Sequence, residues 1–492
     1  MSYGRRKIFT DVTEISAGNV IAEVEAAFLV HSENRTEIEK LYQYYRNKTD
    51  IEGKTKSVRE DINHKIGEAR CLEVTNFYSG YIFGEPIQYV RREKSQNGDA
   101  DDVIAADINA LNGYMADANK AICDSKLGKW MLVGGNAYKM TLPNKAWEKD
   151  GDEPPFNVYA PDPRNTFVVY SSDVDEHPVM NVTYAQRKTG EIVFTVYTAD
   201  AVFKFTQGKT DVSVEANPLG MFPIVEYHAA DHLGIFEPIV PLVDALNTLQ
   251  SNRLDDVAQY INSFLAILGG QVDEDTYTKL NEWKMLCLPE GTDAKYLSSP
   301  MSQSDVQTMK DDLYQAILTI TGVPNRHGGG SSSDTGQAVE LRDGFFGAEL
   351  RAKNIETAFK AAEREHLKVV LRIMRDTVGT NLKLSDIEAH FTRRNYENIA
   401  TKSQVLIAML NSPWIHPEVA YASCGMFPDP ESAYLQGKAW KEEQDKKTEE
   451  KLKTEAERNA DSGTDSLPQM QQKTDGSEGA STNQVSKVQV TG

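Results

Sequence analysis

Apolar positions recur at three- and four-residue spacing through Ile239, Leu242, Val243, Leu246, Leu249, Val257, Ile261, Phe264, Leu265 and Leu268, a period that predicts one long amphipathic helix. Its thirty or so residues would reach about 45 Å. A second helical run passes through Val306, Met309, Leu313, Ile317 and Ile320 and is stopped by Gly322 and Pro324. Gly328, Gly329, Gly330, Ser331, Ser332, Ser333, Asp334, Thr335 and Gly336 follow, a stretch that holds no fixed structure by itself. Immediately after it a third helix is expected, with Ala338, Leu341, Phe345, Ala348, Ala352, Ile355, Phe359, Ala362, Leu367, Val370 and Met374 on its apolar stripe. Gly344 and Gly347 lie inside that pattern, each costing about 1 kcal/mol against alanine, and imply a kink or a close helix contact.

Upstream, residues 18–45 and 58–80 read as helices, with Val20, Val24, Phe28 and Leu29 on one face and Ile62, Ile66, Ala69 and Leu72 on another. Gly84-Glu85-Pro86 delivers a short strand at 87–90, and helical pattern returns over 103–128. Short strands are then expected at 137–141, 166–170, 179–186, 192–197 and 201–206, separated by turn chemistry. Between the first two long helices, Gly269-Gly270 breaks the pattern, and residues 272–304 form a small unit with a short helix at 276–282 and a strand at 285–288. That unit is too small to bury much apolar surface alone. Further helices are expected at 398–410 and 416–423, with a mixed segment at 382–391. From 441 to 458 acid and base alternate without an apolar stripe, and 461–492 is rich in Ser, Thr, Gln and Gly, so a fraying helix and a disordered tail are expected.

Composition sharpens this picture. The chain has 492 residues, enough for about three domains, and carries 53 basic against 73 acidic side chains, a formal charge of -20. Attraction to a phosphate backbone therefore does not dominate its surface, although an acidic wall suits a path that nucleic acid must traverse without being gripped. The four cysteines, Cys71, Cys123, Cys287 and Cys424, form no CxxC pair and argue for a reducing compartment and against a disulfide framework. Residues 1–10 are followed by no apolar signal core, and no uncharged apolar run approaches 18 residues; Asp244, Arg253, Asp255 and Asp256 interrupt the first long helix, which therefore packs against protein.

Candidate chemistry is sparse. Gly208-Lys209-Thr210 supplies the end of a GxxxxGK[ST] motif, but Phe203 stands where the leading glycine is needed, so a hairpin turn is the reading. His228 and His232 are spaced for one helix face, yet no glutamate follows His228 as HExxH requires, and Pro223 and Gly234 imply an irregular connection. Asp255-Asp256 and Asp311-Asp312 are adjacent pairs, which on a helix do not face each other and mark a solvated face or a channel lining. Asp162 with Glu282-Trp283-Lys284 would make only a scattered acidic pattern. No catalytic residue, cofactor site or metal site is assigned.

Three pieces carry a family resemblance: Tyr81-Ile82-Phe83-Gly84-Glu85-Pro86-Ile87, Pro223-Ile224-Val225 and Asp244-Ala245-Leu246-Asn247, within an order of elements matching over most of residues 20–440. The chain resembles the portal proteins of tailed bacteriophages, of the type common in phages of Gram-positive bacteria. The resemblance implies an α+β, mainly helical subunit: a wing of helices and antiparallel strands (1–232), a first stem helix (233–270), a clip (271–304), a second stem helix (305–327), a tunnel loop (328–336), a long kinked helix (337–378), a crown (379–440), and a charged helix and tail (441–492). It implies a non-enzymatic dodecameric ring at one capsid vertex of the virion, assembled in the host cytoplasm. Expected partners are further copies of the chain, double-stranded DNA passing without sequence reading, the terminase large subunit, head-completion and tail adaptor proteins, and the major capsid and scaffold proteins, with no membrane contact. Gly328 to Asp334 are expected to line the channel, Leu246, Phe264 and Leu313 to serve stem assembly, and Trp283, Met285 and Tyr296 to dock partners. The competing expectations are a scaffold without a channel, and a packaging nuclease or ATPase.

Overall fold

The computed structural model describes residues 4–57, 59–92, 98–148, 151–261, 264–268, 291, 293–297, 303–325, 345–392, 399–427 and 430–461. The chain divides into two units, 1–405 and 406–492. In the first, helix α1 (Val20–Tyr45) buries Val20, Val24, Ala27, His31, Asn34, Ile38, Leu41 and Tyr44, a three- and four-residue spacing that gives it one continuous inner stripe. Its first half covers a β-sheet through Val20, Val24 and Ala27, while Ile38, Leu41 and Tyr44 belong to the main helical core.

That sheet has six strands in the order β1-β5-β6-β7-β8-β9: β1 (Ile8–Thr10), β5 (Thr166–Ser171), β6 (Pro178–Gln186), β7 (Ile192–Tyr197), β8 (Ala201–Thr206) and β9 (Val212–Ala216). From β5 onward it is an antiparallel meander; β1 joins β5 in parallel, which the sequence pattern did not anticipate. Phe167, Val182, Val196 and Phe203 share the face under α1. Gly208, with φ +75°, turns β8 into β9, so the Gly208-Lys209-Thr210 stretch is the expected hairpin turn. A second sheet, β10-β3-β4, comprises β3 (Asn136–Pro143), β4 (Phe156–Tyr159) and β10 (Ile224–His228). Val168 of β5 packs with Tyr138 and Ile224 of this second sheet.

Helix α2 (Arg70–Phe83) starts well after the expected boundary at 58. Residues 63–69 instead form neither helix nor strand, because the backbone N–H groups of His64, Ile66 and Glu68 find acceptors on a distant helix and local helix formation loses that competition. Strand β2 (Gln88–Arg91) precedes α3 (Gly98–Asp117) and α4 (Lys120–Gly134); the single helix expected over 103–128 is broken because Asn119 adopts a left-handed conformation, φ 54°. Gly135, φ +79°, closes α4 where a side chain could not fit: a Cβ there would lie 2.1 Å from the His232 carbonyl oxygen.

The long helices follow. Helix α5 (Val240–Ile261) ends seven residues short of the expected Leu268, and Phe264, Leu265 and Leu268 lie instead on β11 (Phe264–Leu268), paired antiparallel with β12 (Asp293–Leu297). Five apolar residues before two glycines satisfy a helical or a strand pattern equally, and the partner strand decides between them. Helix α6 (Gln303–Thr321) stops at Gly322, φ +69°, as its sequence implies. Helix α7 (Phe345–Thr377) runs unbroken for 33 residues. Gly347 sits in its first described turn, with open space where its own Cβ would be and its carbonyl oxygen 3.3 Å from where a Cβ on Gly322 would lie; Gly344 falls outside the described residues. Strand β13 (Ile387–His390) pairs with β2.

The second unit begins within α8 (Ile399–Leu410) and contains α9 (Pro417–Ser423) and α10 (Pro430–Asp461). Leu406, Ala420 and Cys424 form its small apolar nucleus, with the Tyr421 and Phe427 rings stacked at 5.2 Å beside them. Among the described residues, no helix is long and apolar enough to cross a membrane.

Candidate functional site

The residues that matter most lie along α5, α6 and α7. The start of α5 is fixed by Glu237, whose carboxylate accepts from the Gly234 N–H at 3.0 Å and from Arg5 at 2.6 Å. Arg5 is itself buried and also pairs with Glu37 at 2.9 Å, so the N-terminal segment, α1 and the root of α5 meet at one guanidinium. Beyond that root, Ile239, Val243 and Leu246 are wholly buried in the subunit's own core.

This places the expected assembly residues differently from the sequence reading. Leu246 is 0% exposed and so holds the subunit together without presenting a surface to a neighbour. Leu313 is half-buried against the same core. Phe264 leaves the stripe altogether, because it sits on β11 opposite Leu297. The apolar side chains that the fold leaves outside are others: Leu254 and Val257 on α5, Met309 and Ile320 on α6, and Phe346 and Leu350 on α7, with Phe346 72% exposed. Val257 lies on nearly the same helix face as Leu246, about 20° away after eleven residues, yet is exposed because that stretch of α5 has passed the apolar core.

Asp255 also overturns its expectation. Instead of marking a solvated face it is 0% exposed, and its carboxylate receives Lys54 at 2.7 Å, Lys56 at 2.6 Å and the His64 ring at 2.8 Å. Burial pushes its pKa up, but the hydrogen bonds from Lys54, Lys56 and His64 outweigh that and hold the acid well below the ordinary carboxylate range. Asp311 and Asp312 are exposed, in keeping with a solvated face.

Helix α7 is pinned by a charged cluster within the core. Glu363 accepts from Lys139 at 2.7 Å and lies 3.1 Å from Lys120, and both lysines also meet Asp124. The hydroxyls of Tyr89 and Tyr227 donate to the same Glu363 carboxylate, and His366, one turn on, contacts the Thr141 hydroxyl at 2.9 Å. Burial alone would raise the Glu363 pKa; Lys120, Lys139 and His366 reverse the sign and hold it well below the usual value. Burial lowers the His366 pKa, and the Lys139 charge lowers it further. Two cations and two anions thus balance, tying α7 to α4 and to strand β3, where Lys139 and Thr141 reside. The spacing of Lys120 and Asp124 is a helical i,i+4 signal, but nothing local indicates that Lys139 and Glu363 complete it.

The remaining candidates divide cleanly. Gly328, Gly329, Gly330, Ser331, Ser332, Ser333 and Asp334, together with Trp283 and Met285, lie outside the described residues; Tyr296 falls on β12, opposite Leu265. His228 ends β10 and His232 occupies a left-handed turn at φ 52°, so they do not share a helix face; their rings stack at 4.4 Å, and the His232 Nδ1 meets Asn136 Oδ1 at 2.7 Å. Asp162 pairs with Arg164 at 2.6 Å.

Among solved structures, the chain is similar to one from the neck of a native GTA particle computed with C12 symmetry, at 13% identity and a TM-score of 0.45, covering 73% of this chain and 91% of that one. It is similar also to one from the virion of a native gene transfer agent particle, at 13% identity and a TM-score of 0.42, covering 74% and 91%. No curated protein matches the sequence. The family model described as phage portal protein, SPP1 Gp6-like, matches residues 29–455, from within α1 to within α10. The chain belongs to that family: it is a non-enzymatic structural protein of the virion, a portal protein that forms the head–tail connector ring.

Proposed function

We propose that twelve copies close the ring around a channel for double-stranded DNA, that α5, α6 and α7 carry the contact between neighbouring copies, and that the ring docks the terminase large subunit during packaging and head-completion and tail adaptor proteins afterwards. The observation that carries this reading is the set of apolar side chains left outside the subunit core on three successive long helices, Leu254, Val257, Met309, Ile320, Phe346 and Leu350. Exposed apolar positions on three successive long helices suit an interaction surface, and in a ring-forming family the nearest occupant is the adjacent copy. Arg351 donates to the Ile320 carbonyl at 2.8 Å and so holds the end of α6 beside the start of α7.

In this arrangement residues 1–232 form the wing and α5 and α6 the stem. The antiparallel β11–β12 pair opens the clip, and the glycine- and serine-rich segment 328–336 enters the channel. The crown spans 379–440, and contacts with major capsid and scaffold proteins lie on the outside of the ring. The net charge of -20 supports passage of DNA without tight holding, since a chain of that balance is not drawn as a whole to the phosphates.

Negative-stain imaging of the purified full-length chain tests the reading. Wild type should give rings with a central hole; Phe346→Asp combined with Leu254→Asp should give folded subunits, with wild-type circular dichroism and melting, that form no rings. Normal rings at normal yield from that variant would remove these helices from the contact between copies.

A further inference from the structure

Along α5 the chemistry of burial changes abruptly. Up to Leu246 its inner face is apolar; among the described residues after Leu246, those that are buried are Asn247, Ser251 and Asp255, one per turn and each 0% exposed. All three accept backbone N–H groups from the same segment: Asp255 Oδ1 from His64 at 2.7 Å, Ser251 Oγ from Ile66 at 2.9 Å, and Asn247 Oδ1 from Glu68 at 2.7 Å. The match is geometric. Alternate residues of an extended chain are spaced about 6.6 Å apart, and residues four apart on a helix about 6 Å. Successive donors therefore meet successive turns in antiparallel order. Around this ladder, Asn247 Nδ2 donates to Thr49 at 3.1 Å, Gln250 to Glu68 at 2.9 Å, and Lys54 and Lys56 close on Asp255.

We propose that residues 49–57 and 62–68 form a releasable clasp that sets the position of the outer half of α5, and that clasp and outer helix open and close as one unit. A one-residue slip of the segment would turn every second N–H away from its acceptor, so the attachment admits one register. Its bonds to α5 named above are hydrogen bonds and ion pairs, unlike the apolar packing at the root of the same helix, while Ile51 and Ile62 are the apolar side chains that the segment buries. Water can replace each of its bonds, so it opens at lower cost than an apolar core of equal length. The consequence for the ring rests on the reading given above: Leu254 and Val257 project from the clasped half, so the clasp aims the side chains that meet the next copy.

Hydrogen exchange followed by mass spectrometry on the full-length chain tests this, comparing wild type with Ser251→Ala and Asp255→Asn. Each variant should lose about tenfold or more of the protection in peptides covering 62–68 and, together with it, in peptides covering 248–261, while β5 to β8 keep wild-type protection. Loss confined to 62–68, unchanged protection in both segments, or uniform loss across the chain would each overturn the clasp. Ser251→Ala removes one acceptor and no charge, so it reads the proposal even where Asp255→Asn fails to fold. The measurement is independent of ring formation: a wild-type chain that formed no rings would remove the portal consequence and leave the clasp standing.

Discussion

Replacing Glu363 by glutamine is the perturbation with the most definite expected result. In the wild type two buried cations, Lys120 and Lys139, face two buried anions, Asp124 and Glu363, and the Glu363 side chain is 0% exposed. Glutamine keeps the volume but removes one anion, leaving two lysines with a single carboxylate in the core; it also weakens the acceptors of Tyr89 and Tyr227. Breaking one partner of a buried ionic cluster typically costs about 3–5 kcal/mol. Urea unfolding of the full-length chain, followed by tryptophan fluorescence, should register this loss. Adding Lys139→Met to Glu363→Gln restores one cation to one anion, so the double variant should be more stable than Glu363→Gln alone although it lacks a further polar group. The pH dependence has a definite sign. The folded-state pKa of Glu363 lies below its unfolded value, about 4.3, so its contribution is fully present above that value and is lost as pH falls towards the folded one. The acid-side fall in stability should therefore be shallower in the variant. A Glu363→Gln chain within about 0.5 kcal/mol of wild type, or a second substitution that adds cost to the first, would refute the charge-balance argument.

The other predictions concern assembly and partners. Leu246→Ala should destabilise the subunit itself by about 2–5 kcal/mol, seen as a lowered melting temperature before any ring forms; an unchanged melt with lost rings would return Leu246 to the contact between copies. Changing Trp283, Met285 and Tyr296 singly to Asp should leave rings intact and abolish co-purification with the motor or the adaptors, and retained binding in all three places docking elsewhere. Prolines at Gly329, Gly330 and Ser331 should leave ring assembly unchanged and lower DNA packaging or retention, whereas wild-type packaging would make the segment a connecting loop only.

Period was a reliable guide wherever one face of an element meets one surface. Strands β7 and β8 coincide with the alternation at 192–197 and 201–206, and α6 stops at the glycine that its sequence offers as a stop. Shortness and distant partners defeated it elsewhere. β1, β4 and β9 have three to five residues, too few for alternation to register, and they exist because a neighbouring strand pairs with them. The apparent continuation of α5 through Phe264 failed for the same reason: its apolar residues suited either period, and β12, some thirty residues further on, settled the choice.

The polar sites were legible in kind and illegible in place. Asp255 resembles any helix-surface acid, since the two lysines and the histidine that enclose it lie about two hundred positions earlier. One local signal existed: Asn247, Ser251 and Asp255 fall four apart, a stripe of short polar side chains that a surface helix does not need and a helix buried against apolar groups would not tolerate. Short side chains at that spacing place their oxygens close to the helix axis, where a long glutamate or lysine would reach past an adjacent backbone. A stripe of Asn, Ser and Asp is therefore fitted to receive main-chain N–H groups, and the segment with Ile62 and Ile66, which on its own reads as helix, supplies them. The two misread features correct each other: the segment fails to become a helix because α5 offers acceptors at the spacing of its alternate N–H groups, and α5 buries acids because that segment brings the donors.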